Sequence, residues 1–83
     1  MEYEYLFSKS LHEKLKERIK GRIFCKVIDN TLVINIETRE GIEYGMFIDD
    51  FAERLRSGLL HHEWIADIVV KEFKKKVLER FFY

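Results

Sequence analysis

Apolar residues recur every three or four positions through the last third of the chain. This spacing, between His61 and Tyr83, places side chains on one face of a helix. It predicts one amphipathic helix over that range, with an apolar face that packs on another element. The residues on this face are Ile65, Ile68, Val69, Phe73, Val77 and Phe81. Because Phe82 and Tyr83 add two further aromatic residues, we expect this end of the helix to contact a second molecule.

A second helical pattern lies in the first quarter of the chain. Its apolar stripe is Leu11, Leu15 and Ile19. Ser10 followed by Glu13 matches a capping box, in which the two side chains accept hydrogen bonds from free backbone N–H groups. Gly21 lies where a left-handed residue often ends a helix. The pattern predicts a first helix over residues 10–20.

Residues 2–7 fit two structures. Their polar and apolar side chains alternate as in a strand. Tyr3 and Phe7 are also four residues apart, and Leu11 continues that helical series. We favour a helix that extends partly into this segment, with a strand as the alternative.

The apolar period changes to two in the middle of the chain, which is typical of strands. Asp29-Asn30 and Arg39-Glu40-Gly41 separate three such runs, and both segments favour tight turns. The runs predict an antiparallel three-stranded meander, with an open face and two unpaired edges that are suited to partner binding. The inward residues are Ile23, Cys25 and Val27, then Leu32, Ile34 and Ile36, then Ile42, Tyr44 and Met46.

A short helix is predicted after the sheet. Asp49 or Asp50 can cap its start, and Ser57-Gly58 closes it. Its residues include Phe51, Ala52, Leu55 and Arg56. The expected fold is therefore a single α+β domain over residues 1–83, in the order α-β-β-β-α-α, with helices covering one face of the sheet.

Composition indicates a folded and small domain. The chain is 47% hydrophobic, which is too apolar for disorder. At 83 residues, folding buries only about 60 to 65% of the unfolded surface, so association would add stability. We expect a homodimer held by Phe81, Phe82 and Tyr83. With one cysteine, no secretory signal pattern and no apolar run near the roughly 20 residues that span a bilayer, the expected location is the cytoplasm.

Charged residues are balanced in number but uneven in position. The 15 basic and 15 acidic residues give a net charge of zero, which argues against mainly electrostatic nucleic-acid binding. Basic residues dominate the first and last helical segments, and Lys74, Lys75 and Lys76 make a nucleic-acid-binding module the alternative function. The middle is acidic, with Glu37, Glu40, Glu43, Asp49, Asp50 and Glu53.

No constellation of residues indicates a reaction. Cys25 with His61 or His62 as a base would suit thiol chemistry, but Cys25 lies in an alternating strand and is expected to be buried. Adjacent histidines on a helix point about 100° apart and rarely share a metal ion. We therefore expect neither a catalytic residue, nor a metal, nor a cofactor. Trp64 is expected to cover the core, with a protein contact as the alternative.

Two family resemblances bear on function. An α-β-β-β-α order resembles the double-stranded RNA-binding domain, in which helix-start lysines bind phosphates; the lysines at 74–76 lie in the second half of the last helix instead. The C-terminal half is similar to small proteins of phages and prophages of Gram-positive bacteria, including anti-CRISPR inhibitors. The stretches that carry this likeness are Gly41-Ile42-Glu43-Tyr44, the short helix from Phe51 to Ser57-Gly58, and Ile65-Ala66-Asp67-Ile68-Val69-Val70-Lys71 leading to Phe-Phe-Tyr.

The anti-CRISPR resemblance implies a protein that binds a CRISPR nuclease. At least one such inhibitor has a helix, three strands and two helices in this order, is strongly acidic and occupies a DNA-binding surface. The present chain has fewer acidic residues and a basic final helix. We therefore expect a non-enzymatic protein-binding module of phage origin, with a CRISPR nuclease or another host factor as candidate partner. The residues expected to contact it are Glu40, Glu43, Tyr44, Asp49, Asp50, Trp64, Phe82 and Tyr83.

Overall fold

The computed structural model describes the backbone of residues 2–82 and the side chains of residues 3–80. Six elements follow one another along the chain, and their order confirms the predicted α+β fold. They are α1 (Glu2–Arg18), β1 (Arg22–Ile28), β2 (Thr31–Glu37), β3 (Glu43–Ile48), α2 (Phe51–Arg56) and α3 (His62–Phe82).

The three strands form an antiparallel sheet in the order β1-β2-β3. At its centre Cys25 lies opposite Ile34, which in turn lies opposite Met46. Asp29 and Asn30 connect β1 to β2 with φ angles of 48° and 61°. Two successive residues with positive φ are what a tight hairpin turn of the right twist requires, so the predicted turn is confirmed.

The inward face of the sheet carries the core. Leu32, Ile34 and Ile36 of β2 are fully buried beneath the helices, and Cys25 and Tyr44 lie buried on the flanking strands. The helices contribute a matching set of buried residues: Phe7, Leu11, Leu15, Phe51, Ile65, Ala66, Val69, Val70 and Phe73. Ile19 is buried just after the end of α1. The predicted inward residues are thus confirmed as core residues, with Ile23, Val27 and Met46 partly buried and Ile42 buried just before β3 begins. Ala66 and Val70, which the spacing did not select, widen the buried face of α3.

Helices α1 and α3 lie side by side and run in the same direction. Lys14 of α1 pairs with Glu63 of α3 at 3.2 Å, and one turn further along Arg18 pairs with Asp67. Because both residue numbers advance by four, the two helices are parallel. Within residues 2–82, no helix combines the length and apolar character needed to cross a membrane.

The favoured extension of the first helix into residues 2–7 is confirmed, whereas the start at the Ser10 capping box was wrong. Helix α1 begins at Glu2, and Phe7 lies buried within its first half. The continuous stripe from Phe7 to Leu15 packs on the sheet, and that burial outweighs the local capping box at Ser10 and Glu13.

Gly21 has a different role from the predicted left-handed helix end. Its φ is not in the positive range, and the helix has already ended at Arg18. A Cβ atom at this position would lie 2.9 Å from the carbonyl oxygen of Glu37. Glycine is therefore needed so that the chain entering β1 can approach the end of β2.

Candidate interaction surfaces

An apolar groove runs between the first two turns of α1 and helix α2. Its volume is about 620 Å³. Leu6 and Tyr3 line it from α1 and remain 54% and 79% exposed, while Ala52 and Leu55 line it from α2. The remaining lining residues are Glu4, Phe7, Ser10, Arg56 and His62. The groove thus has apolar walls and a thin polar rim, a composition suited to apolar side chains from another molecule.

Helix α2 is held in place by a residue from a distant turn. The side-chain Oδ1 of Asn30 accepts a hydrogen bond from the N–H of Ala52 at 2.8 Å. The backbone carbonyl oxygen of Asn30 accepts a hydrogen bond from the N–H of Phe51 at 2.9 Å, and its side-chain Nδ2 donates a hydrogen bond to the carboxylate of Glu53 at 2.9 Å. Asn30 therefore satisfies two free N–H groups at the start of α2, as a capping residue does. The bond from Asn30 is also the main cause of the lowered pKa of Glu53.

The predicted caps of this helix were wrong. Asp50 occupies the position before α2, but its φ of 53° is left-handed and its side chain makes no capping hydrogen bond. The carboxylate of Asp49 instead accepts a hydrogen bond from the hydroxyl of Thr31 at 3.0 Å. Both aspartates are exposed, and Asn30 of the hairpin turn supplies the capping hydrogen bonds that were predicted for them.

The predicted closure of α2 is confirmed. The N–H of Ser57 donates to the carbonyl of Glu53 at 3.1 Å, and that of Gly58 donates to the carbonyl of Leu55 at 3.2 Å. Leu59 follows and is exposed. The short helix therefore ends beside the groove with a further apolar side chain facing solvent.

The two adjacent histidines lie at the start of α3. Their rings stack on each other with centroids 4.8 Å apart, and the His62 ring also meets the Phe7 ring edge-on at 6.0 Å. Nδ1 of His61 accepts a hydrogen bond from the N–H of Glu63 at 3.3 Å. His61 is thus used in starting α3, and His62 closes one end of the groove.

Cys25 lies buried on the inward face of the sheet, as predicted. Burial raises the pKa of its thiol to about 12. At neutral pH the thiol therefore stays protonated, and a protonated thiol is a poor nucleophile. Among residues 3–80, no three His, Cys, Asp or Glu side chains lie close enough together to hold a metal ion.

The acidic residues predicted to bind a partner do not form one surface. Glu40 lies in the β2–β3 turn and Glu43 begins β3, whereas Asp49 and Asp50 follow its other end. At about 3.3 Å per residue, the two groups are roughly 20 Å apart along the strand. All four side chains are exposed, but each pair belongs to a different end of the sheet.

Tyr44 is placed where it cannot contact a partner with its ring. The ring is buried on the inward face, and its hydroxyl donates a hydrogen bond to Glu72 of α3 at 3.0 Å. Burial, together with this carboxylate, raises the pKa of Tyr44 to about 12. The residue therefore fastens β3 to α3 and belongs to the fold.

The aromatic residues of α3 have separate outcomes. Trp64 is 55% exposed, so the expectation that it covers the core was wrong, and a protein contact remains its predicted role. It lies two positions from His62, and residues two apart on a helix point in widely different directions, so Trp64 does not share the groove wall with His62. The side chains of Phe81 and Phe82 and all of Tyr83 lie outside the described residues.

The lysines of the alternative function are exposed, but they do not form one basic surface. Lys74, Lys75 and Lys76 occupy consecutive helix positions and so point in three directions. Lys75 and Lys76 line a shallow groove together with Lys71 and with the acidic residues Glu72 and Glu79.

The basic residues of α1 are also partly engaged. Lys14 and Arg18 form ion pairs with α3, and the hydrogen bond and charge of Lys14 lower the pKa of Glu63. Nucleic-acid phosphates bind best to basic side chains that are clustered and not already paired. Because Lys14 and Arg18 are paired with α3, they are less suited to binding phosphates.

Several exposed apolar residues were not selected from the sequence. Leu6 was missed because the stripe through Phe7 and Leu11 accounted for the helix, and a second apolar side chain beside that stripe carried no separate signal. Phe24 and Phe47 were assigned only as outward positions of strands. The usable signal was the presence of large apolar side chains at positions that alternation assigns to solvent.

No protein-family model, curated protein or solved structure matches the chain. The surfaces of the chain itself are therefore the basis for a proposed function.

Proposed function

We propose that the chain is a non-enzymatic protein-binding module, and that the groove between α1 and α2 receives apolar side chains of another protein. The exposure of Leu6 at 54% beside this apolar groove carries the proposal. In isolation a side chain of this kind gains about 1.5 to 3 kcal/mol on burial. Since α1 already buries Phe7 and Leu11 against its own core, its second apolar edge has no partner within the described chain.

A protein segment fits the groove better than a small polar ligand. The walls contributed by Leu6, Ala52 and Leu55 are apolar, and Tyr3 and Leu6 on the α1 side of the groove are exposed. Exposed apolar side chains grouped in this way are typical of a protein contact. The buried thiol of Cys25 and the engaged histidines support a role without catalysis.

Inhibition of a host defence nuclease is the narrower form of this proposal. It rests on the resemblance to phage-encoded inhibitors that the sequence of the C-terminal half suggests. The wide separation of Glu43 from Asp49 favours binding through the groove over imitation of DNA by an acidic surface. Addition of the purified chain to a CRISPR nuclease cleavage reaction tests this form directly: slowed cleavage supports it, and an unchanged rate at saturating protein contradicts it.

The groove itself is tested with one disruptive variant and one matched control. Leu6→Glu places a charge on the groove wall, and Leu78→Glu makes the same change on α3 at a residue of similar exposure, 57%. Both positions are exposed, so each change should alter folding stability by less than about 0.5 kcal/mol. Circular dichroism and thermal melting establish that both variants fold.

The expected result is selective loss of binding. Proteins from a Gram-positive bacterial lysate that are retained by the immobilised wild-type chain and by Leu78→Glu should be absent with Leu6→Glu. After identification by mass spectrometry, the purified partner should bind Leu6→Glu at least about tenfold more weakly in calorimetry, as loss of one buried leucine implies. Equal retention of the same proteins by all three chains would contradict the proposal that the groove binds the partner.

The nucleic-acid alternative is an outcome of the same series. Two results together would replace the protein-binding proposal. The chain would retain RNA or DNA in a salt-sensitive way that is lost when Lys74, Lys75 and Lys76 are all changed to Glu, and Leu6→Glu would leave this retention unchanged. No retention at low ionic strength would exclude that alternative, because phosphate contacts are strongest there.

A further inference from the structure

The outward face of the sheet is a second surface without a partner in the described chain. Phe24 and Phe47 on this face are 40% and 69% exposed, and Ile28 is also exposed. The strand register arranges the face in rows that cross all three strands. The rows are Arg22, Glu37 and Glu43, then Phe24, Asn35 and Gly45, then Lys26, Val33 and Phe47.

Gly45 leaves a gap in the middle row that the fold does not require. A Cβ atom there would meet only the carbonyl oxygen of Ile34 at 3.8 Å, an ordinary contact distance, and the φ of Gly45 is not in the positive range. A glycine inside a strand is destabilising relative to alanine, because it loses more backbone freedom on folding and has no side chain to pack. Such a glycine often marks a place where another molecule approaches closely.

We propose that this face binds a second copy of the chain, through a two-fold axis that is parallel to β2 and lies midway between the two outward faces. This operation keeps the direction of the strands and exchanges the two sides of the sheet, so that β1 of each copy lies over β3 of the other. Residues of one row then meet residues of the same row. Phe24 of each copy comes to lie over the gap at Gly45 of the other.

The charged positions obey the same symmetry. Glu37 and Glu43 are directly opposite each other on β2 and β3, and like charges at such positions destabilise a sheet. In the proposed dimer Arg22 of the second copy lies over Glu43 with the opposite charge, whereas the two copies of Glu37 lie over each other beside the axis, a like-charge contact that weakens the dimer. Lys26, whose ammonium is 5.9 Å from the Phe24 ring of its own chain, comes to lie over Phe47 of the second copy, where a further cation–π contact is available.

The size of the face predicts a weak dimer. Three strands at about 4.8 Å spacing and seven residues at about 3.3 Å rise give a footprint of roughly 14 by 23 Å. Two sheets packed about 10 Å apart over this footprint bury less surface than the roughly 1,200 Å² at which stable interfaces begin. The dimer should therefore form and dissociate with protein concentration.

Sedimentation equilibrium of the full chain over a wide concentration range tests the interface. The wild type should show a monomer–dimer equilibrium. Gly45→Val fills the gap with a residue that strands accommodate well, and it should raise the dissociation constant about tenfold or more. Leu78→Glu, which changes an exposed apolar residue outside this face, should leave the constant unchanged.

A charge exchange tests the symmetry independently of the glycine. Arg22→Glu alone and Glu43→Arg alone should each weaken the dimer about tenfold, because each places like charges across the interface. The double variant should restore affinity to within about threefold of the wild type. Restoration requires that the two residues meet between copies, since β2 separates them within one chain.

Three results would overturn the proposal: a monomeric wild type at all accessible concentrations, an unchanged dimer in Gly45→Val, or no restoration in the double variant. Loss of the dimer on deletion of Phe82 and Tyr83, with Gly45→Val unaffected, would assign the dimer to the end of α3 instead. Leu6→Glu should leave the dimer intact, so that failure of the groove and failure of this interface are distinguishable.

Discussion

The capping of α2 by Asn30 predicts a stability loss that can be separated into two causes. The side chain supplies the acceptor for Ala52 and the donor to Glu53, and the backbone is left-handed, with φ at 61°. Asn30→Gly removes the hydrogen bonds but tolerates the backbone conformation, whereas Asn30→Ala removes the bonds and also places a Cβ in a left-handed residue.

The two costs can be estimated from these features. Loss of a capping interaction costs about 1 kcal/mol, and the left-handed alanine adds about 1 kcal/mol relative to glycine once the greater freedom of unfolded glycine is considered. For a domain of this size each kcal/mol lowers the melting temperature by roughly 4 to 8 °C. We therefore expect a decrease of about 4 to 8 °C for Asn30→Gly and about twice that for Asn30→Ala.

Differential scanning calorimetry and urea denaturation measure both variants against the wild type. Asn30→Asp is a third variant, which keeps the acceptor for Ala52 but sets a carboxylate against Glu53. Its deficit should shrink when Glu53→Gln is added. If Asn30→Gly has the same melting temperature as the wild type, the hydrogen bonds of the Asn30 side chain contribute nothing to stability and the capping argument is refuted. If Gly and Ala variants are equally destabilised, the backbone contribution is refuted.

The other predictions concern titration and packing. The folded-state pKa of Cys25 is raised from 9.0 to about 12, and that of Tyr44 from 10.0 to about 12. The protonated forms therefore contribute their full stability below pH 9 for Cys25 and below pH 10 for Tyr44, and this contribution is lost as the pH rises toward 12. The urea midpoint should fall over this pH range, and it should fall less in Tyr44→Phe. Native Cys25 should react with iodoacetamide only as fast as the chain unfolds, and rapid alkylation of folded protein would contradict its burial. Glu63 has a lowered folded-state pKa, so its contribution is present above its ordinary value and lost as pH falls below it; the acid-induced decrease in the urea midpoint should be smaller in Glu63→Gln. Gly21→Ala should destabilise the fold by about 1 to 3 kcal/mol, because the atom it would press against is backbone, and a wild-type melting temperature would contradict that contact.

Periodicity was sufficient to predict the strands and the inward face of the sheet. Leu32, Ile34 and Ile36 recur at every second position, with the polar residues Asn35 and Glu37 on the other face, and burial of one face leaves a strand little choice of register. The same reasoning identified α3 because Ile65, Val69 and Phe73 keep a single face over several turns. These signals are local, and the final structure agrees with them because tertiary packing uses the same faces.

The features missed by sequence reasoning depend on contacts between distant residues. Asn30 caps a helix that begins 21 positions later, and nothing within its own turn distinguishes it from an ordinary hairpin residue. Tyr44 was expected to contact a partner, but the carboxylate of Glu72 that engages its hydroxyl lies on another element. For Trp64 the position near a helix start suggested burial, whereas neighbouring Ile65 and Ala66 took the places that face the core.

The parallel alignment of α1 and α3 has a mechanical consequence. The start of α1 and the end of α3 lie toward opposite ends of a molecule that measures 40 × 21 × 19 Å. A pulling force applied to the two ends acts along both helix axes, in opposite directions. It therefore loads the ion pairs of Lys14 and Arg18 and the apolar contact beneath them together, in shear, instead of separating them one after another. If the chain is pulled from the start of α1 and the end of α3, it should unfold abruptly at a high force. If it is pulled instead from two points on either side of the β2–β3 turn, the strands of the sheet should separate one after another.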